Sequence, residues 1–89
     1  MTDLNSRFEK ASAAAKSLPS RPDNNTMLQL YALYKQGSSG DVTGKKPGMF
    51  DFVAVAKYEA WERLEGLSQD DARNQYIDLV SKLGGVIDG

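Results

Sequence analysis

The chain contains neither cysteine nor histidine. Without cysteine it can form no disulfide, zinc-thiolate site or thiol nucleophile, and without histidine it lacks the most common neutral-pH base and metal ligand of proteins. Proline is also scarce, with 3 residues among 89. These absences remove most of the side chains on which enzyme mechanisms depend. We therefore expect a protein that is not an enzyme and that holds no metal ion and no resident cofactor.

An excess of charge of one sign and long hydrophobic runs are missing as well. Eleven Lys and Arg stand against twelve Asp and Glu, which leaves a net charge of -1 and no extended basic surface for nucleic acid. No apolar run approaches the roughly 20 residues of a membrane span, and the first five residues lack the basic start and apolar stretch of a secretory signal. The expected protein is cytoplasmic, with no nucleic-acid partner and no integral membrane segment.

The composition is that of one globular domain over residues 1–89, with 40% hydrophobic and 26% charged residues. Apolar residues recur at helical spacing in four segments, and no segment shows the alternation of a strand. The predicted helices run from Leu4 to Leu18, from Asp23 or Asn24 to about Gln36, from about Asp51 to Glu65, and from Ser68 to Gly84. Residues 86–89 are expected to form a frayed tail.

The connection between the second and third helices, residues 37–48, is rich in glycine and polar residues. Gly37 is expected to end the second helix. The connection is long for a tight antiparallel turn, and a loop of that reach can carry the chain back along a bundle so that the next helix starts in the same direction. The prediction is an all-α, four-helix bundle of up-down-down-up topology with a long crossover loop between helices two and three.

The crossover segment 40–46 superficially resembles a phosphate-binding loop. Its spacing is one residue short, Lys46 occupies the position of the magnesium-binding hydroxyl, and no buried strand precedes it. A solvated crossover is the better interpretation. The neighbouring acids Asp70 and Asp71 need no catalytic role either, because carboxylates are favoured near a helix start.

The predicted second helix carries more apolar surface than a simple core stripe requires. Leu28, Tyr31 and Lys35 share one line on its surface, so that a ring and an ammonium group point together beside an aliphatic patch. Such a line could bind an amphipathic anion. The alternative is that the tyrosines are core residues and that the lysine only extends along them, and spacing alone favours this alternative. Lys57 and Tyr76 are also explained as structural when each is taken singly.

Several ordered blocks, read together, change that balance. They are Leu30–Gln36, Gly40–Asp41, Pro47–Phe52, Ala56–Trp61 and Tyr76. In sequence and spacing these blocks closely resemble the acyl-CoA-binding protein family, and the similarity spans nearly the whole chain. The resemblance implies a monomeric four-helix bundle that binds one long-chain acyl-CoA, carries it through the cytosol, buffers its pool and catalyses no reaction.

Carried over by position, the resemblance assigns five residues to the coenzyme A head group. It implies that Tyr31, Lys35 and Lys57 contact the region of the 3′-phosphate. It also implies that Tyr34 packs near the adenine and that Tyr76 closes the head-group site.

Three further residues are implied to line the approach to the acyl chain, namely Lys16, Met27 and Leu28. Methionine and leucine can remove methylene groups from water, and the two lysines of the head-group site supply charged donors for phosphate. No metal-binding and no catalytic residue is implied.

The chain departs from the family pattern at three positions. Val53 and Val55 stand where basic residues are frequent, and Tyr58 replaces a usual tryptophan. The valines are expected to weaken phosphate attraction or to shift preference toward tail contacts. Two other functions are alternatives: a small helical protein-interaction module with a spare apolar face, and a thioester hydrolase, for which no nucleophile and base pair is visible.

Overall fold

The computed structural model describes residues 3–87, and the described chain contains four α-helices and no strand. The helices are α1 (Leu4–Ala14), α2 (Asn24–Ser39), α3 (Phe52–Glu62) and α4 (Gln69–Lys82), and a 3₁₀ turn at Ala15–Ser17 extends α1. The all-α prediction is confirmed. None of the helices within residues 3–87 is long and apolar enough to cross a membrane.

Each helix begins at a short polar side chain that accepts a hydrogen bond from an orphan amide of the first turn. Asp3 and Asp23 do so at 2.7 Å for α1 and α2. Asp51 and Ser68 do so at 3.1 Å for α3 and α4. The starts of the helices are therefore determined locally, by the sequence around each cap.

Helices α2 and α3 lie side by side and run in the same direction. The ammonium group of Lys57 lies 5.3 Å from the centroid of the Tyr31 ring, and the ammonium group of Lys35 lies 4.9 Å from the Trp61 ring. The second contact lies four residues after the first in both helices, so the two helices run in parallel. The crossover loop supplies the connection that this arrangement needs, as predicted.

Helix α4 runs antiparallel to α2 and parallel to α1. Arg73, near the start of α4, donates a hydrogen bond from Nε to the carbonyl oxygen of Gly37, near the end of α2, at 2.9 Å. The same arginine lies over the ring of Phe8 in α1. At the other end of this pair, a Cβ added at Gly85, three residues after the end of α4, would lie 3.4 Å from the side chain of Ala14, the last residue of α1. The predicted up-down-down-up topology is confirmed.

The core lies where α1, α2 and α4 meet. It is formed by Phe8, Ala11, Leu30, Leu33, Tyr76, Ile77 and Val80. Partly buried residues pack against its ends, among them Leu18, Leu64 and Leu67. The apolar periodicity of the sequence therefore predicted which helix faces pack in the core, even where the helices end before their predicted ends.

The prediction that Gly37 ends the second helix is wrong. Helix α2 continues to Ser39 and is capped by Gly40, whose φ of 82° suits glycine. Gly37 is buried inside the helix, where an added Cβ would lie 3.0 Å from Arg73 and 3.1 Å from Phe8. The glycine is there because α1 and α4 approach this point closely, not because the helix stops.

The other predicted ends also change. The α-helical part of α1 ends at Ala14 and α3 ends at Glu62, several residues before the predicted Leu18 and Glu65. A 3₁₀ segment and turns occupy the difference, and apolar spacing over so few residues does not distinguish these from α-helix. In the predicted frayed tail, Ile87 packs against the core. Residues 88 and 89 lie outside the described residues.

The crossover loop is attached along α3. Trp61 donates a hydrogen bond from Nε1 to the carbonyl oxygen of Gly40 at 2.8 Å, and the Tyr58 hydroxyl donates to the carbonyl oxygen of Gly44 at 3.2 Å. Most loop side chains are nevertheless exposed, in agreement with a solvated crossover. Tyr58 therefore has a structural partner in this chain.

One carboxylate joins the last turns of α2 to the connection between α3 and α4. Asp41 accepts hydrogen bonds from the backbone amide of Gly66 at 2.9 Å and from the side-chain amide of Gln36 at 2.8 Å. Gln36 is completely buried, and its amide nitrogen also donates to the carbonyl oxygen of Leu67 at 2.8 Å. The Gly66 amide, followed by Gln36, lowers the pKa of Asp41 below its usual 3.8.

The lowered pKa of Asp41 predicts an acid-sensitive contribution to stability. Because the folded state favours the ionised carboxyl, the contribution is present above about pH 4 and is lost as pH falls through the folded-state pKa. Asp41→Asn is expected to be less stable than the parent at pH 7, with a difference that shrinks toward pH 3. Urea unfolding followed by the fluorescence of Trp61, the single tryptophan, measures it. The exposed Asp78→Asn is the control, and an Asp41→Asn deficit that did not change with pH would contradict the assignment.

Candidate functional site

A cavity of about 800 Å³ opens between α1, α2 and α3, with one side chain of α4 in its wall. All of the site residues predicted from the sequence line it except Lys35. They are Lys16, Met27, Leu28, Tyr31, Tyr34, Lys57 and Tyr76. Its volume lies within the roughly 300–1,000 Å³ that is typical of ligand sites.

Helix α2 supplies the central wall of the cavity. Tyr31 and Tyr34 lie four and seven residues after Met27, and Leu28 lies three residues before Tyr31, which places these side chains on one face. The core residues Ala32 and Leu33 occupy another face of the same helix. The additional apolar surface noted in the sequence therefore faces this cavity and not the protein core.

The cavity has a positive rim. Lys16, Arg21 and Lys57 are exposed and line it, and no aspartate or glutamate of the described residues does so. The Lys57 ammonium group lies 5.3 Å from the centroid of the Tyr31 ring, where the face of the ring attracts a cation. Cations without neighbouring carboxylates attract an anionic ligand.

Lys35 does not reach this rim. Its ammonium group lies over Trp61, 4.9 Å from the ring centroid, although the sequence analysis placed it with Tyr31 and Lys57. Four residues of α-helix advance by about 6 Å, so Lys35 meets the turn of α3 beyond Lys57. The structure therefore brings two of the three residues together and places the third one turn away.

Two tyrosines of the cavity wall, Tyr34 and Tyr76, pack against Phe8 of the core. The ring centroid of Phe8 lies 5.4 Å from that of Tyr34 and 5.3 Å from that of Tyr76, and the two tyrosine rings are 5.9 Å apart. Tyr76 is buried, and this burial raises the pKa of its phenol, an effect that a hydrogen bond with Ser12 partly offsets. Tyr76 thus presents a neutral phenol at the base of the cavity, while Tyr34 stands nearer the opening.

Several residues of the cavity wall were not predicted from the sequence. Ala15 and Lys16, in the 3₁₀ turn that extends α1, follow Ser12 at spacings of three and four, and Phe52 and Ala56 are likewise four residues apart. These helical spacings could have identified them. Arg21 could not be found in this way, because it lies in the irregular connection between α1 and α2, where no periodicity applies.

The arrangement suits an amphipathic anion. Cations at the rim can donate hydrogen bonds to phosphate or carboxylate oxygens, aromatic faces can stack on a planar group, and the aliphatic and aromatic wall can remove a hydrocarbon chain from water. In the described part of the chain, no cluster of acidic side chains is arranged to hold a metal ion.

Comparisons with known proteins agree with this chemistry. The family model described as Acyl CoA binding protein matches residues 5–80. Acyl-CoA-binding protein homolog 1 of Caenorhabditis elegans is 49% identical over 76 residues, which are 85% of this chain and 88% of the relative. Enoyl-CoA delta isomerase 2 of Rattus norvegicus is 50% identical over 76 residues, 85% of this chain and 19% of that protein.

A solved structure gives the same result for the fold. The crystal structure of Oryza sativa Acyl-CoA-Binding Protein 2 superimposes with a TM-score of 0.87 at 40% sequence identity. The match covers 91% of this chain and 90% of the rice protein. With the family model and the worm relative, it establishes that the chain belongs to the acyl-CoA-binding protein family.

Proposed function

We propose that this chain binds one long-chain acyl-CoA ester in the cavity between α1, α2 and α3, and that it acts as a non-catalytic cytoplasmic carrier and buffer of these esters. The observation that carries the proposal is an apolar cavity whose rim holds three cations and, among the described residues, no carboxylate. Membership of the acyl-CoA-binding protein family supports the choice of ligand.

The parts of the ligand match the parts of the cavity. Coenzyme A carries phosphate groups and an adenine, and the ester adds a hydrocarbon tail. Lys57 and Arg21 supply charged donors for phosphate, Lys16 lies at the approach to the acyl chain, and Tyr31 and Tyr34 supply ring faces for the base. The tail is assigned to the apolar wall that Met27, Leu28 and Phe52 line. Tyr76 closes the base of the site.

The same wall offers little for catalysis. Thioester hydrolysis needs a nucleophile activated by a base, and the chain has no cysteine and no histidine. Ser12 and Tyr76 both line the cavity, but the raised pKa of Tyr76 keeps its phenol protonated near neutral pH, so that it cannot take the serine proton. Palmitoyl-CoA incubated with the protein is therefore expected to remain intact. Release of free coenzyme A faster than in buffer alone would instead support the hydrolase function.

Calorimetric titration with palmitoyl-CoA tests the proposal directly. The expected result is saturable binding with one ligand per chain at micromolar concentrations or below. Binding would show that an acyl-CoA ester, and not a partner helix, covers the apolar surface of α2. Absence of binding at micromolar concentrations would favour the alternative, a helical interaction module.

Lysine substitutions locate the head group. Lys57→Met is expected to weaken palmitoyl-CoA binding by about 1–3 kcal/mol, the range for a charge-assisted hydrogen bond. Lys35→Met is expected to have a smaller effect, because its ammonium group lies over Trp61 and outside the cavity. The same titration of both variants measures the difference.

Lys10→Met is the matched control, since Lys10 is exposed on α1 and does not line the cavity. Added salt should weaken binding to the parent more than binding to Lys57→Met, because the variant lacks the screened contact. Equal affinities of the parent and Lys57→Met would remove Lys57 from the site.

A further inference from the structure

Four large apolar side chains project into solvent around the start of α3. Phe50 is 95% exposed, Met49 82%, Phe52 78% and Val53 65%. Soluble proteins seldom leave such a concentration of apolar surface without a function. We refer to Met49, Phe50, Phe52 and Val53 as the α3 rim.

The α3 rim continues the wall of the ligand cavity. Phe52 and Val53 line the cavity and are exposed at the same time, while Met49 and Phe50 lie just outside it on the preceding turn. An apolar surface therefore extends from the cavity mouth to the outside of the protein. Val53 contributes to this continuity at a position where a basic residue would interrupt it.

The charges next to the rim are mostly positive. Lys45 is exposed in the preceding loop and Lys57 is exposed in the following turn of α3. Lys46 is paired with Glu59 at 3.0 Å. The one acid within the rim, Asp51, is engaged as the helix cap, where its carboxylate accepts a hydrogen bond from the amide of Ala54.

The shape and size of the rim distinguish between possible partners. A side chain that is almost completely exposed stands out from the surface, and a protein partner would need a matching hollow for each one. The four side chains together offer on the order of 500 Å², whereas a stable protein interface needs about 800 Å² from each partner. A lipid bilayer accepts separate projecting apolar groups and attracts the lysines beside them.

We propose that the α3 rim docks the protein reversibly on an anionic lipid bilayer, with the mouth of the cavity against the membrane surface. Met49 and Phe50 enter the boundary between head groups and acyl chains, and Lys45 and Lys57 lie at the level of the lipid phosphates. Four side chains and a few cations give a weak association, as a protein that must leave the membrane again requires. Ligand binding in solution is not needed for this docking.

Co-sedimentation of the ligand-free protein with vesicles tests the proposal. The vesicles are phosphatidylcholine with about one third phosphatidylserine. The double substitution Met49→Ser/Phe50→Ser is expected to lower the partition coefficient at least tenfold, and salt is expected to weaken docking of the parent. Val86→Ser, which removes another strongly exposed apolar side chain outside the rim, is expected to leave it unchanged.

A fluorescence experiment tests the orientation. Because the chain has no cysteine, an environment-sensitive dye can be placed on Phe50→Cys alone. Vesicles are expected to shift its emission to the blue. The same dye on Ser39→Cys, an exposed position at the opposite end of the parallel α2 and α3 pair, is expected to show no shift.

Three results would overturn the proposal: a parent that stays in the supernatant, a double variant that pellets as well as the parent, and equal dye shifts at both positions. If sedimentation velocity showed that the parent is a dimer and that the double substitution abolishes the dimer, the rim would instead be an interface with a second copy of the chain. Neither Met49 nor Phe50 lines the cavity, so the double variant should bind palmitoyl-CoA in solution like the parent. Loss of docking and loss of ligand binding are therefore distinguishable.

Discussion

Palmitoyl-CoA is expected to bind this chain several thousand times more tightly than coenzyme A does. Each methylene removed from water contributes about 0.8 kcal/mol, so burial of about six methylenes of the palmitoyl chain amounts to roughly 5 kcal/mol, or between three and four orders of magnitude in Kd. The wall formed by Met27, Leu28, Phe52 and Val53 provides the apolar surface for this burial. Affinity should rise with chain length until the cavity is filled.

Free palmitate is expected to bind poorly. It keeps the tail but lacks the phosphates and adenine, which leaves Lys57, Tyr31 and Tyr34 without their proposed partners. A calorimetric series from coenzyme A through short to long acyl esters, with palmitate as the control, measures both ends of the ligand. An affinity that stayed flat along the series would defeat the assignment of the tail, and tight binding of palmitate would defeat the assignment of the head group.

The architecture was predictable because it follows from local signals. A period of 3.6 residues in the apolar pattern identifies helices, capping residues such as Asp23 and Ser68 mark their starts, and a connection too long for a tight turn indicates a crossover. The error at Gly37 has the opposite origin. That glycine is required by Phe8 and Arg73, which are distant in sequence, and a one-dimensional pattern contains no information on which helix approaches which turn.

The candidate site divides in the same way. Helical spacing placed Leu28 and Tyr31 on one line of α2 but by itself favoured a core role for the tyrosine, and the resemblance to the acyl-CoA-binding protein family, a membership that the comparisons confirm, added the remaining residues and the ligand. The position of Lys35 over Trp61 depends on how α2 and α3 are aligned, which spacing along a single helix does not specify. Arg21 was missed because an irregular connection positions it. Sequence spacing therefore predicts which residues share a face of one helix, but it does not predict how two helices are aligned or where an irregular connection places its side chains.

The hydrogen-bond network around Gln36 is a second feature that no pattern predicts. Gln36 reaches Leu67, which is 31 residues away in the sequence, and Asp41 joins the same network from the crossover loop. Because Gln36 is completely buried and both of its partners are hydrogen-bond acceptors, the site needs a donor at this position. A buried polar side chain in this position links α2, the crossover loop and the start of α4.

Gln36→Glu is therefore expected to cause a large loss of stability. At pH 7 it would place a carboxylate in a buried site where the carbonyl oxygen of Leu67 and the carboxylate of Asp41 each accept a hydrogen bond at 2.8 Å. An uncompensated buried charge costs about 3–5 kcal/mol, a large part of the roughly 5–15 kcal/mol that holds a small domain together. Urea unfolding, followed by Trp61 fluorescence, should show a midpoint shifted strongly downward.

The dependence of this loss on pH and on Asp41 separates charge from lost hydrogen bonds. Burial and the neighbouring acid would raise the pKa of the introduced carboxyl, so the deficit should be small below about pH 4, should grow as pH rises from there to the raised value, and should be constant above it. Gln36→Leu, the uncharged control, should lose less, and its deficit should not change with pH above about pH 4. In the double variant with Asp41→Asn, the asparagine amide can donate to the new carboxylate, so stability should partly return. A double variant whose loss equalled the sum of the two single losses would mean that residues 36 and 41 do not interact across this network.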